Sequence, residues 1–205
     1  MSLKTYSVPR VIVHGKDSLD YLKELDGKKA SIVTGGSSMK KFGFLDKVKE
    51  ILEQGGMEVQ IIDGVEPDPS IKTCIEGGKK MAEFKPDWIV ALGGGSAMDA
   101  AKTMWVYYEH PGYDFNRLAN FENPPLRTRA KMACIASTSG TASEITAFSV
   151  ITDTESKIKY PLVHADFIPD VAIVDPEIPS KMPALITAQT GMDVMTHAIE
   201  SYVST

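Results

Sequence analysis

Asp193 and His197 stand four apart in Thr190-Gly-Met-Asp193-Val-Met-Thr-His197. On a helix that spacing sets a carboxylate and an imidazole about 40° of arc and about 6 Å of rise apart, close enough to share a divalent ion. A plainer role is open to the same residues. Thr190 and Asp193 fit the Ser/Thr-x-x-Asp/Glu capping pattern, and Met192, Met195, Ile199 and Tyr202 recur as a stripe expected to be buried, leaving Asp193, His197, Glu200 and Ser204 on a polar face. Spacing alone favours this capped surface helix.

A second chemistry lies in Trp88-Ile-Val-Ala-Leu-Gly93-Gly94-Gly95-Ser96-Ala-Met-Asp99-Ala-Ala-Lys102, a strand, a triple glycine and a helix start in immediate succession. Glycines let backbone donors approach an anion, and a helix start adds about half a positive charge. The run is neither Gly-x-Gly-x-x-Gly nor a Walker loop. Ser96 as N-cap with Asp99 as its box partner would need no ligand, but three glycines exceed what capping requires, so phosphate binding is the stronger reading. Two further polar turns follow strands: Thr34-Gly35-Gly36-Ser37-Ser38, which spacing does not rank against the first, and Ser137-Thr138-Ser139-Gly140-Thr141-Ala142-Ser143-Glu144. Hydroxyls of the latter can hold ribose and phosphate oxygens or satisfy their own backbone.

The elements that must position these turns alternate. Val11–Val13, Ser31–Thr34, Val59–Ile62 and Trp88–Leu92 read as strands, and Ser18–Leu25, Phe44–Gln54, Ile71–Phe84 and Ala97–Tyr108 as helices. Ser70 suits an N-cap and Gly55-Gly56 a helix end. Residues 111–129 read as a long loop before the strand Met132–Ala136. Thr146–Ile151 and Lys157–Leu162 then form a hairpin about Asp153–Ser156, and Val171–Val174 adds a strand. The expected fold class is α/β: an open, mainly parallel, Rossmann-like sheet with helices on both faces, followed by the start of an all-helical domain. Residues 1–180 form the first domain and 181–205 the beginning of the second. Polar turns at the carboxyl ends of strands suit a ligand crevice.

Composition narrows the functions. The 205 residues are 43% hydrophobic and 24% charged, with no run long enough to span a membrane. A net charge of -5 argues against nucleic acid as partner. The start Met1-Ser-Leu-Lys-Thr-Tyr6 lacks a secretory pattern, and the two cysteines, Cys74 and Cys134, lack metal spacing, so a cytoplasmic protein with reduced thiols is expected.

Together, the glycine turn through Lys102, Ser137–Glu144, Asp175-Pro176-Glu177 and Met182–Glu200 resemble the iron-containing (group III) alcohol dehydrogenases, across nearly the whole chain and in order. The resemblance implies a nucleotide-binding α/β domain, a helical domain, and metal and substrate between them. It implies that Gly94, Gly95, Ser96 and Asp99 hold pyrophosphate and ribose, that Thr138, Ser139, Thr141 and Lys159 serve the nicotinamide half, and that Asp193 and His197 bind Fe(II), with Zn(II) as the other occupant. The family's two later histidine ligands have no counterpart here. His14, His110 and His164 match no ligand position and read as loop or surface residues.

By the same resemblance, the turn after the second strand is where many members carry an aspartate for the ribose hydroxyls of NAD. Its absence removes a repulsion of up to about 4 kcal/mol per charge pair at about 4 Å. NADP is therefore expected over NAD, held by the Gly36 amide, the Ser37 and Ser38 hydroxyls and Lys40 or Lys41. The implied reaction is hydride exchange between a small primary alcohol or aldehyde and the nicotinamide, in a homodimer. The isolated 205 residues are expected to be inactive. The alternatives are a nucleotide-binding fragment without catalysis and a polyol or glycerol dehydrogenase of the same fold.

Overall fold

The computed structural model describes residues 6–204. Residues 1–5, most of the segment weighed above as a leader, and Thr205 lie outside the described residues. Strands β1 (Val11–His14), β2 (Lys29–Gly35), β3 (Glu58–Val65), β4 (Trp88–Gly93), β5 (Lys131–Ala136) and, after a hairpin of β6 (Phe148–Asp153) and β7 (Ile158–Val163), β8 (Val171–Val174) make the architecture. Six of them form one parallel sheet in the order β1-β8-β5-β4-β2-β3, and β6 and β7 pair antiparallel beside it.

Burial explains the parallel sheet. β4 is buried at every residue: Ile89 and Ala91 enter one core, and Val90 and Leu92 the other. Such a strand needs cover on both faces, which helical crossovers supply. On one side lie the 3-10 turn Ser18–Glu24, the short α1 (Ser38–Lys41) and α2 (Phe44–Gln54), which buries Phe44, Leu45, Val48, Ile51 and Leu52 at helical spacing. On the other lie α3 (Ile71–Phe84), capped by the Ser70 side chain accepting from the Thr73 amide, and α4 (Gly95–Glu109). These two approach closely because Gly77 and Gly78 lack side chains. A β-carbon at Gly78 would lie 2.5 Å from that of Tyr107.

Topology places the crevice. From β2 the chain crosses outward to β3, then returns to lay β4 on the other side of β2, so the order reverses between β2 and β4. Their carboxyl ends flank a switch point, where open α/β sheets bind ligands. Thr34 and Leu92 are ladder partners, and one glycine-containing turn leaves each strand just beyond.

α4 also anchors the far side of the domain. The buried Glu109 carboxylate accepts five hydrogen bonds, from the Trp105 indole, the Thr128 amide and hydroxyl, and the Arg129 and Ala130 amides. The chain is thereby steered into β5.

Several expectations change. Ser18–Glu24 is a 3-10 turn, because Leu19, Leu22 and Leu25 recur every three residues and all three are buried. The stretch 111–129 holds a short helix, α5 (Phe115–Ala119), capped by Asp114. His164 is buried, its Nε2 2.7 Å from the Pro124 carbonyl oxygen, and is not a surface residue. In α6 (Ala184–Val203) the stripe expected to be buried is open: Met192, Met195, Ile199 and Tyr202 are 55–90% exposed. The helix touches the sheet domain with its Thr190 and Asp193 side, so the apolar stripe points away. Among the described residues, no helix is long and apolar enough to cross a membrane.

Candidate nucleotide cleft and metal pair

The turn after β4 requires its glycines. Gly93 has φ +155°, and a β-carbon there would lie 2.8 Å from that of Ala97. Gly94 is the N-cap of α4; its carbonyl accepts from the Ala97 and Met98 amides, leaving those of Gly95 and Ser96 without a backbone acceptor among the described residues. Ser96 therefore lies inside the helix and does not cap it. The start of this 15-residue helix is suited to an anion.

The hydroxyl-rich stretch after β5 packs on that turn. A β-carbon on Gly94 would meet Thr138 at 3.2 Å, and one on Gly95 would meet the Thr141 hydroxyl at 3.2 Å. The Ser137 amide donates to the Gly93 carbonyl at 2.9 Å. Thr138 and Thr141 are thus brought to the glycine turn. Ser139 is exposed and joins neither.

Asp99, expected to serve the cofactor, is also bonded within the fold. Its carboxylate accepts from the Ser143 hydroxyl at 2.6 Å and from the Val150 amide at 3.0 Å, so it lines the cleft with both oxygens already engaged. Burial pushes its carboxyl above the usual aspartate range, against these bonds and the nearby Lys102. Lys102 is fully buried, and its ammonium donates to the carbonyls of Ser143, Thr146 and Phe148 at 2.8, 2.9 and 2.8 Å. Burial lowers its pKa, opposed by Cys134, Asp99 and Glu144.

The candidate metal pair, Asp193 and His197, lies across the same stretch. His197 Nε2 is 3.7 Å from Asp193 Oδ1, while Asp193 Oδ2 is buried with no hydrogen-bond partner. A β-carbon on Gly140 would come 3.4 Å from that orphan oxygen and 3.0 Å from Thr190. An unpaired buried carboxylate oxygen is costly, and a cation would relieve it; one carboxylate and one imidazole suit Fe(II) or Zn(II). Capping does not account for the pair. α6 begins at Ala184, and the Thr190 hydroxyl donates to the Ile186 carbonyl within the helix. No group of three or more His, Cys, Asp or Glu able to hold a metal is present among the described residues.

Between α6 and the sheet domain lies a cavity of about 730 Å³, lined by Asp99, Thr141, Thr146, Phe148 and Val150 on one wall and by Val194, His197, Ala198 and Ser201 on the other. Lys159 is not on this wall; its ammonium pairs with Asp68 at 2.7 Å. At the turn after β2, the Gly36 amide donates to the Val65 carbonyl at 3.3 Å and is not free for a phosphate. Ser37, Ser38, Lys40 and Lys41 are exposed, and Ser37 makes no cap bond. The residues missed by sequence reading are Lys102 as a hub and the apolar wall of Phe148, Val150, Val194 and Ala198. The strand period marks Phe148 and Val150 as one face, but the element opposite them has no local signature.

The family model for iron-containing alcohol dehydrogenase matches residues 9–176. An NADPH-dependent butanol dehydrogenase of Clostridium saccharobutylicum is 56% identical over 201 residues, covering 98% of this chain and 52% of that protein. Among solved structures, an alcohol dehydrogenase from Oenococcus oeni superposes with a TM-score of 0.90 at 31% identity, over 98% of this chain and 53% of that one. An NADH-dependent butanol dehydrogenase A from Thermotoga maritima does so at 0.89 and 25% identity, over 98% and 51%. The chain spans 52% of the length of the Clostridium saccharobutylicum butanol dehydrogenase and 25% of the length of an aldehyde-alcohol dehydrogenase of Entamoeba histolytica to which it is 42% identical. Glycine turn, threonine stretch and Asp–His pair thus stand in a chain whose sequence and fold both match one group, and it belongs to the iron-containing alcohol dehydrogenases.

Proposed function

We propose that these residues form the cofactor-binding part of an NADP-dependent alcohol dehydrogenase that interconverts a small primary alcohol and its aldehyde. One observation carries the reading: the stretch Ser137–Ser143 touches the glycine turn through Thr138 and Thr141 and the Asp193 carboxylate through Gly140, so one segment joins nucleotide site and metal pair. The Gly95 and Ser96 amides would hold the pyrophosphate, and Thr138 and Thr141 the adjoining sugar. Asp193 and His197 would supply two ligands to a divalent ion. When bound, the nicotinamide exchanges hydride with the substrate carbon and the ion acts as a Lewis acid toward its oxygen. Phe148, Val150, Val194 and Ala198 make much of the cavity apolar, which suits an alkyl alcohol better than a polyol.

The NADP preference rests on the exposed Ser37 and Ser38 hydroxyls, with Lys40 and Lys41 close in sequence and no acid in the turn. Cofactor choice differs between the two butanol dehydrogenases named above, so the preference proposed here rests on the turn and not on the family. Cys74 and Cys134 are free and buried, in keeping with a cytoplasmic setting, and burial raises the Cys134 thiol to about 12 despite Lys102.

The test is turnover with butanal and NADPH in Fe(II), by a protein in which these residues stand with the remaining helical part of the family fold. Asp193→Ala and His197→Ala are each expected to cut kcat at least about a hundredfold, with the Kd for NADPH within about twofold of the parent. Turnover that survives both substitutions would remove the pair from the site. Faster reaction with dihydroxyacetone than with butanal would move the protein to the polyol branch. The 205 residues alone are expected to bind NADPH without turnover.

A further inference from the structure

We propose that Lys102 is a positioning residue of the nucleotide cleft, whose buried ammonium holds residues 143–148 by their carbonyls and so sets Thr141 against the glycine turn. The proposal rests on the reading of that cleft as an NADP site.

A lysine with no exposed surface is costly, and an apolar side chain would fill the space without that cost. Its surroundings show what it does there. An ammonium has three donors, and three carbonyls converge on it at 2.8–2.9 Å, from Ser143, Thr146 and Phe148. All lie in one stretch that enters β6 only at Phe148. Among the described residues, no other side chain donates to those carbonyls. Three residues earlier on α4, Asp99 takes the Ser143 hydroxyl and the Val150 amide. Cation and anion on one helix thus pin both ends of the segment from 143 to 150.

The same helix starts at Gly95 and presents the free amides of the glycine turn. Pyrophosphate donors and threonine stretch are therefore two parts of one rigid body with Lys102 as the link. The Ser143 amide donates to the Thr141 hydroxyl at 3.2 Å, which carries the constraint from the gripped carbonyl to the side chain packed on Gly95. Without the ammonium, the buried Ser143 carbonyl and the part-buried Thr146 and Phe148 carbonyls lose this donor, and the stretch shifts toward water. The nicotinamide half of the site then loses its shape, while the turns after β2 and β4 keep theirs.

The experiment titrates the chain and its Lys102→Met variant with NADPH and with 2′,5′-ADP, which lacks the nicotinamide half, and follows unfolding of each. The variant is expected to bind NADPH about tenfold more weakly and 2′,5′-ADP within about twofold of the parent, with a single cooperative transition. A general loss of stability would weaken both ligands together, and that result overturns the proposal. So does unchanged NADPH binding in a folded variant. Should Lys102→Met not fold, Lys102→Gln, whose amide can still donate to two carbonyls, gives the same comparison; failure of both to fold assigns Lys102 to folding alone and also overturns it. A parent chain that binds neither ligand removes the cofactor reading first, and this proposal with it.

Discussion

Gly95→Val is expected to weaken NADPH binding about a hundredfold, equivalent to about 2.7 kcal/mol, while leaving the chain folded. A β-carbon at this position already meets the Thr141 hydroxyl at 3.2 Å and its methyl at 3.3 Å. The two further methyls of valine have no room unless the threonine stretch moves off the turn. They also stand beside the first amides of α4, where the anion must come close. The backbone at Gly95 is the first residue of a regular helix, so the substitution costs little conformational strain. A substitution at Gly93, where φ is +155° and a β-carbon would lie 2.8 Å from that of Ala97, would instead strain the fold itself. Isothermal titration with NADPH beside a thermal melt separates the two effects. A Kd within about threefold of the parent would show that the phosphates do not approach this turn.

Glu109→Ala carries the largest expected loss of stability. Its carboxylate, on a residue only 4% exposed, is the common acceptor for five donors, and removal leaves the buried Trp105 indole and Ala130 amide, with the part-buried donors of Thr128 and Arg129, without that partner. Breaking such a buried charged hub costs about 3–5 kcal/mol, a large part of the roughly 5–15 kcal/mol that holds a domain together. Urea denaturation is expected to show a lower midpoint with an unchanged slope. Acid should expose the same group. Burial alone would raise the Glu109 carboxyl, but the bonds from Thr128, Arg129 and Trp105 outweigh it and hold it below the ordinary 4.5. A carboxyl lowered in the folded state contributes stability that is full above its unfolded pKa of about 4.5 and is lost as pH falls through the folded value. The parent should therefore lose this contribution below pH 4.5 and Glu109→Ala should not. Parallel acid limbs for the two proteins would contradict the assignment.

Legibility followed the range of the interactions. α2 and α3 begin and end where their apolar spacing, Ser70 and Gly55 place them, because those signals act within one or two turns of chain. β4 and its glycine turn could be read as a unit for the same reason. Ser18–Leu25 reads as a helix from its apolar content, although Leu19, Leu22 and Leu25 recur at an interval of three that suits the tighter winding. α6 shows a different failure. Its apolar stripe and polar face are plain in the sequence, but which face meets the domain is decided by Gly140, fifty residues earlier in the chain. Lys102 is the sharpest case. In its helix it resembles any solvated lysine, and its acceptors are backbone carbonyls 41–46 residues away, which residue types do not reveal. Asp99 reads as a cleft residue from the sequence, but its own partners, Ser143 and Val150, depend on the stretch after β5 folding back over α4.

The most direct measurement is a pair of fluorescence titrations of the chain with NADPH and NADH at matched ionic strength, repeated on Ser37→Asp. Ser37 and Ser38 are exposed in the turn that leaves β2 at the switch point, and an aspartate there would face a 2′-phosphate with like charge. NADPH is expected to bind the parent at least about tenfold more tightly than NADH, with the preference lost or inverted in Ser37→Asp. Equal affinities in the parent, or tighter binding of NADH, would contradict the assignment of this chain as the NADP-binding part of the enzyme.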